Sequence, residues 1–123
     1  MSRRRVSSEV REKVYSKYDG RCAYCGSKVH YKDMQIDHVF PLSLGGTDTE
    51  DNYLPSCSAC NFRKGKLTLE KFRKSLSRLK RKMYSRHLDY RLAIKYNLIS
   101  ENDIPIKFYF EEVNDNGIEN QYS

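Results

Sequence analysis

The amino-acid sequence predicts a small α+β domain, and three observations carry that reading. Two Cys-x-x-Cys pairs, Cys22 with Cys25 and Cys57 with Cys60, bracket the middle of the chain. Between them an extended segment, a polar glycine-bearing loop and a second extended segment follow one another, and on either side apolar residues recur at three- and four-residue helical spacing. Finally, a chain of 123 residues with 32% charged residues and mean hydropathy −0.82 can build only a modest apolar core, so a staple would help it fold.

The four cysteines can supply that staple. Each pair places two sulfurs on one tetrahedral ion and two pairs close its shell, as in structural zinc sites; disulfides are the alternative, and four thiols allow three pairings. Compartment decides between them. Met1-Ser-Arg-Arg-Arg-Val-Ser-Ser8 is basic but no apolar run follows it, so it lacks the hydrophobic stretch of a secretory signal. No segment approaches the length of a membrane span. A reduced cytoplasmic setting is therefore expected, and with it zinc rather than disulfides.

In chain order, a basic arm (1–7) containing Arg3-Arg4-Arg5 precedes a helix that Ser7 or Ser8 can cap, with Val10, Val14 and Tyr18 on one face and Asp19-Gly20 as its stop. Cys22-Ala-Tyr-Cys25-Gly26 reads as a zinc knuckle, and His30, beyond a site already filled by four thiolates, reads as a loop residue. Met34 to Phe40 has the β-branched and apolar content of a short strand ended by Pro41. Asn52-Tyr-Leu54 is a second extended piece, and Ser58 to Lys64 a short helix ended by Gly65. From Thr68 one further helix is expected, with Leu69, Phe72, Leu76, Leu79 and Met83 as its inner stripe. Leu88 to Tyr96 reads as another helix stopped by Asn97, and His87 before it as a surface or packing residue. Ile104 to Phe110 reads as a final strand and the acidic remainder, 111–123, as a frayed tail.

Net charge is +7, but its distribution is one-sided. Residues 1–61 hold nine Lys or Arg against eight Asp or Glu, residues 62–95 thirteen against two, and residues 96–123 one against six. A block of +11 points to a polyanionic partner. Candidates for phosphate contact are Arg63, Lys64 and Lys66 in the turn after the second Cys pair, and Arg78, Arg81 and Lys82 on the Thr68 helix.

Hydrolysis of a phosphodiester needs a base for water, a hard cation for the phosphate charge and a grip on the backbone. An imidazole, with an ordinary pKa of about 6.5, suits His38 to the first task, while the Asp37 carboxylate and the Asn61 amide oxygen are hard donors suited to Mg²⁺ or Mn²⁺. Neighbours on a regular strand face opposite ways, so Asp37 and His38 can converge only if the strand ends or bulges there.

These residues also form an ordered pattern. Arg11 to Tyr18 with Asp19-Gly20, the knuckle Cys22-Ala-Tyr-Cys25-Gly26, the run Ile36-Asp37-His38-Val39-Phe40-Pro41-Leu42-Ser43-Leu44-Gly45-Gly46, and Asn52-Tyr-Leu-Pro-Ser-Cys57-Ser-Ala-Cys60-Asn61-Phe-Arg-Lys64-Gly65 together resemble the HNH endonuclease family over residues 8–75. The resemblance implies a ββα-metal (His-Me finger) core stapled by structural zinc, with additional C-terminal helices in residues 76–110. It implies His38 as general base, Asp37 and Asn61 as ligands of a catalytic divalent ion, and Asn52 as the residue that holds the loop bearing the base. The last signature position is Asn61 rather than His, which favours Mg²⁺ or Mn²⁺ over softer ions. DNA is the expected substrate, RNA offers the same phosphates, and a double-strand break would need a dimer or two encounters. The basic C-terminal part is similar to tails of small phage-encoded members, which would place the protein in a bacterial host cytoplasm. The competing reading is a zinc-stapled nucleic-acid-binding module without catalysis, but such a module has no use for a base between two hard ligands.

Overall fold

The computed structural model describes residues 6–115; the Arg3-Arg4-Arg5 arm and residues 116–123 lie outside the described residues. Helix α1 (Ser8–Ser16) starts at Ser7, whose hydroxyl accepts from the Val10 amide at 3.2 Å and so satisfies a donor that a helix start leaves unpaired. Val10 and Val14 line its inner face, with Val14 fully buried, while Tyr18 lies just past the helix end and packs against the aromatic cluster. Past the helix the chain turns through Asp19 and Gly20 at φ +53° and +76°, the left-handed region that glycine enters without strain. This reversal sets Cys22 beside the end of α1.

Strands β1 (Gln35–His38) and β2 (Tyr53–Ser56) form a two-stranded antiparallel sheet in which Asp37 faces Leu54 and His38 faces Tyr53. The first strand is shorter than its composition suggests. A 3₁₀ turn over Tyr31–Asp33 leads into Met34, and beyond His38 the Val39 amide donates to the Asn52 carbonyl at 3.0 Å. Strand β2 accommodates Pro55 because that residue's carbonyl points away from β1, accepting the Ala23 amide at 2.8 Å, so the missing N–H also falls off the ladder. Helix α1 crosses β2 and is fixed there by Lys17, whose ammonium donates to the carbonyls of Glu50 and Tyr53 at 3.0 and 2.7 Å.

Helix α2 (Ser58–Lys64) has the bounds that the sequence suggests. The Thr68 helix does not run unbroken: it divides into α3 (Leu69–Ser77), capped by the Thr68 hydroxyl, and α4 (Leu79–Arg86), with Arg78 between them at φ −91° and ψ −4°. The physical reason lies in the partners of the two halves. Leu69, Phe72 and Leu76 pack into the aromatic core, whereas α4 folds against α5 (Leu88–Lys95). One straight stripe could not meet both. Asn97 ends the α4–α5 hairpin at φ +58°.

The expected strand over 104–110 is absent. Helix α6 (Tyr109–Asp115) begins there instead, with Phe108 as its cap: the Glu111 carboxylate reaches back to the Phe108 amide at 2.9 Å, half of a capping box. The Tyr109 and Phe110 amides, which a strand would have spent on a ladder, donate to the carbonyls of Tyr24 and Ala23 at 3.0 and 2.8 Å. Residues 111–115 are therefore helical rather than frayed, and Glu111 binds Arg73 at 2.6 Å.

Two apolar clusters result. Val14, Met34 and Tyr53 join α1 to the sheet, while Tyr24, Leu54, Phe72, Phe108 and Phe110 form an aromatic core next to the cysteines. Phe72 and Phe108 stack at 5.2 Å, Tyr24 meets both edge-on at 5.4 and 5.3 Å, and Arg73 lies over Phe108 at 4.7 Å. Because Phe72 is fully buried at the centre of this stack, Phe72→Ala is expected to lower stability by about 3–5 kcal/mol. Urea denaturation checks this, and an unchanged midpoint would mean that the aromatic stack does not hold the fold.

Candidate active site and metal centre

The two knuckles meet. The sulfurs of Cys22, Cys25, Cys57 and Cys60 all lie within 4.8 Å of one another, and Cys25 Sγ is 3.9 Å from Cys57 Sγ. A tetrahedral ion with bonds of about 2.3 Å requires ligand sulfurs about 3.8 Å apart, so the donor set and spacing fit zinc, whereas a disulfide would bring two sulfurs to about 2 Å. All four are free thiols. Their electrostatics point the same way: the Cys22 thiol is pulled down to about 5, chiefly by the bond it receives from Cys60, while Cys60 is pushed up chiefly by giving that bond and then by burial, and Cys57 is pushed up chiefly by burial, with the negative charge beside them adding to both. A cation is what would let four thiolates coexist there.

Strand β1 ends into a cleft of about 310 Å³ lined by Asp37, His38, Asn61 and Lys66 together with Pro41, Leu42, Ser43 and Gly65. The ladder stops at His38, which allows two sequence neighbours to reach the same cleft, and both are buried. Asn61 arrives from α2, one residue after Cys60. Asp37 is fixed by two donors on Oδ2: the Tyr24 hydroxyl and the Lys64 ammonium, the latter at 3.0 Å. Among the described residues no hydrogen bond falls on Oδ1. Burial pushes the Asp37 carboxyl above its ordinary value, against the opposing pull of Lys64, Tyr24 and His38.

His38 is held on three sides. Its Nε2 lies 2.8 Å from Asp48 Oδ1, its ring meets the Tyr53 ring edge-on at 5.2 Å, and its carbonyl accepts from Lys64 Nζ at 3.0 Å. Opposite an ionised carboxylate, which can only accept, Nε2 is the ring nitrogen that bears the hydrogen in a neutral imidazole, and the lone pair is then on Nδ1. Asp48 also accepts from the Tyr53 hydroxyl at 2.7 Å. The loop carrying Asp48 is clamped by Asn52, whose Oδ1 accepts from the Phe40 amide at 3.0 Å while Nδ2 donates to the carbonyls of Phe40 and Thr47 at 2.9 and 2.8 Å. Gly46 closes the same loop where a Cβ would come within 1.9 Å of the Phe40 carbonyl oxygen.

The basic candidates separate. Lys66 lines the cleft, whereas Arg63, Arg78, Arg81 and Lys82 line a different groove. Lys64 is not a surface contact: it is fully buried, and its charge is spent on Asp37 and the His38 carbonyl. His30 is exposed, as a loop residue would be. Two residues of the site escaped notice in the sequence, and a third was given another role. Tyr24 looked like a spacer between cysteines, Asp48 like one more polar loop residue, and Lys64 like one charge in a basic run. Only the last carried a signal, since the position three beyond Asn61 places Lys64 on a neighbouring face of α2.

Cys57→Ser is expected to abolish binding of one zinc per chain and, because apparent metal free energies in small fingers run to about 10–16 kcal/mol, to make unfolding non-cooperative. Elemental analysis and thermal melts read this out, and folded wild-type protein free of metal would overturn it. Lys64→Met leaves a buried carboxylate without its cation and should cost about 3–5 kcal/mol, part of which Asp37→Asn in the same chain restores. Equal denaturation midpoints for the single and double variants would show that the pair is not coupled.

Residues 22–77 match the family model described as HNH endonuclease. Over 46 residues the chain is 39% identical to a CRISPR-associated endonuclease Cas9 of Corynebacterium diphtheriae, a match that covers 37% of this chain and 4% of that protein. The crystal structure of the Type II-C Cas9 enzyme from Actinomyces naeslundii is similar in fold, with a TM-score of 0.52 at 23% identity over 61% of this chain and 9% of that one. The chain thus spans only a small fraction of the length of either protein. With the matched span containing both cysteine pairs, the two strands and the cleft residues, residues 22–77 form a domain of the HNH endonuclease family.

Proposed function

We propose that the protein is a metal-dependent endonuclease that hydrolyses phosphodiester bonds of DNA, with His38 as general base. The observation that carries this reading is the convergence of Asp37, His38 and Asn61 on one cleft beside Lys66. A module that only bound nucleic acid would not need an imidazole between two hard oxygen donors.

In this reading His38 takes a proton from water at Nδ1. Asp48, opposite Nε2, holds the ring and stabilises the imidazolium that forms, a task for which its 2.8 Å separation is suited. Tyr53 and Asn52 keep that pair and its loop in place. Asp37 and Asn61 would hold Mg²⁺ or Mn²⁺, since an anionic carboxylate and a neutral amide oxygen match cations that take oxygen ligands and leave room for substrate phosphate. Such an ion would supply charge neutralisation at the phosphate and the leaving oxygen. Tyr24 and Lys64 orient Asp37 through Oδ2, which keeps Oδ1 for that role. Lys66 adds a positive charge to the cleft wall, where it favours entry of a phosphate.

His38→Ala is expected to leave zinc content and DNA binding near wild type while cleavage of plasmid in Mg²⁺ falls by at least about 10²-fold, the lower end of what a general base contributes. Asp37→Ala and Asn61→Ala should instead shift the Mg²⁺ concentration needed for half-maximal cleavage. Wild-type cutting by His38→Ala would remove His38 as the base, and wild-type protein that cuts nothing in Mg²⁺ or Mn²⁺ would overturn the enzymatic reading altogether.

A further inference from the structure

Resting on DNA as the partner of the cleft, we infer that the groove between α2, α3 and α4 is a second, separate contact for its backbone, a track along which the phosphates of one strand lie outside the site of cutting. The groove has a volume of about 390 Å³ and is lined by five cations, Arg63, Arg78, Arg81, Lys82 and Arg86, with Ser75 and Ser85 completing its wall. No carboxylate lines it.

What makes this groove informative is that five cations share one concavity with no carboxylate beside them. Lys64, Arg73, Lys80 and Lys107 each pair with a carboxylate, whereas among the described residues none of the five groove cations does. Arg63 reaches only a neutral partner, the Ser75 carbonyl at 3.3 Å. Like charges gathered in one concavity repel, and an anion between them relieves that repulsion. Their arrangement selects the kind of anion. Arg78, Arg81, Lys82 and Arg86 follow the three- and four-residue spacing of one helix face, and eight residues at 1.5 Å each extend about 12 Å. A row of that length suits consecutive phosphates of a strand better than one small anion, around which cations would converge.

Position ties the groove to the cleft without merging the two. Helix α2 carries Asn61 on the cleft wall and, two residues on, Arg63 on the groove wall. Past the break at Arg78, the cationic face of α4 lines the same groove as Arg63. Of the five cations only Arg63 falls within residues 22–77, so most of the grip comes from the part of the chain beyond the family domain. Phosphate contacts of this kind hold and orient a duplex but do not read its sequence.

The test compares wild type with a groove variant, R78Q/R81Q/K82Q, and with a charge-matched control, K71Q/K74Q/K95Q, which removes three exposed cations that do not line the groove. Binding to a DNA duplex of about 30 base pairs is measured in Ca²⁺ over about 50–200 mM KCl, with zinc content and urea midpoint recorded for each protein. Loss of three phosphate contacts should flatten the slope of log affinity against log salt by about 2–3 and weaken every duplex alike by at least about 10-fold, whereas the control should keep most of the wild-type slope. Equal slopes in the groove variant and wild type, or equal losses in groove variant and control, would overturn the assignment. Cleavage by wild type is scored separately in Mg²⁺. Cutting with an unaltered slope in the groove variant rejects the groove and leaves the enzyme reading standing, while a flattened slope without any cutting by wild type supports the groove and rejects the enzyme.

Discussion

Four sulfurs within 4.8 Å of one another impose the constraint on which the rest of this small protein depends. Two knuckles more than thirty residues apart in sequence must meet, and whatever is attached to them is carried along. Asn61 follows Cys60 directly in the helix that Cys57 caps, so its place in the cleft is tied to the cysteine cluster. Tyr24 lies between Cys22 and Cys25. From there its hydroxyl reaches Asp37 and its ring reaches Phe72, Phe108 and Phe110, so one side chain links the sulfur cluster, the cleft and the aromatic core.

The cleft rests on buried polar groups that would be costly unless satisfied. Asp37, His38, Asn52 and Lys64 are all buried, and each has its partners within the site. No buried side-chain nitrogen or oxygen among the described residues lacks a hydrogen bond. A network satisfied in this way holds its members in fixed relation, as the proposed roles of His38, Asp37 and Asn61 would require. Lys64 is central to it, since one ammonium neutralises Asp37 and ties down the backbone of His38.

The residues after the family domain have two uses. Phe108 and Phe110 complete the core that Tyr24 and Phe72 begin, and Glu111 binds Arg73 and holds its guanidinium above its ordinary value; Arg73 also donates to the Ile106 carbonyl at 2.8 Å. The α4–α5 hairpin bears Arg81, Lys82 and Arg86 of the groove, none of which pairs with a carboxylate among the described residues. No helix among the described residues is long and apolar enough to cross a membrane.

Much was determined by the sequence alone, because the signals were local. The two Cys-x-x-Cys pairs specify a metal centre through spacing, the strand–loop–strand–helix order follows from composition and turn residues, and helix α2 could be bounded to the residue by Cys57 and Gly65. Asp37, His38 and Asn61 were recognisable as a set because they sit at fixed places relative to those markers. Tertiary structure decided the rest. Burial turned Lys64 from a surface charge into the partner of Asp37, and a loop closure no spacing encodes brought Asp48 to His38. Competition between the aromatic core and α5 broke the Thr68 helix at Arg78. Ile104 to Phe110 has every local mark of a strand, yet its amides found the Ala23 and Tyr24 carbonyls and its rings found Phe72, because long-range packing outweighs a β-propensity worth only about 1 kcal/mol.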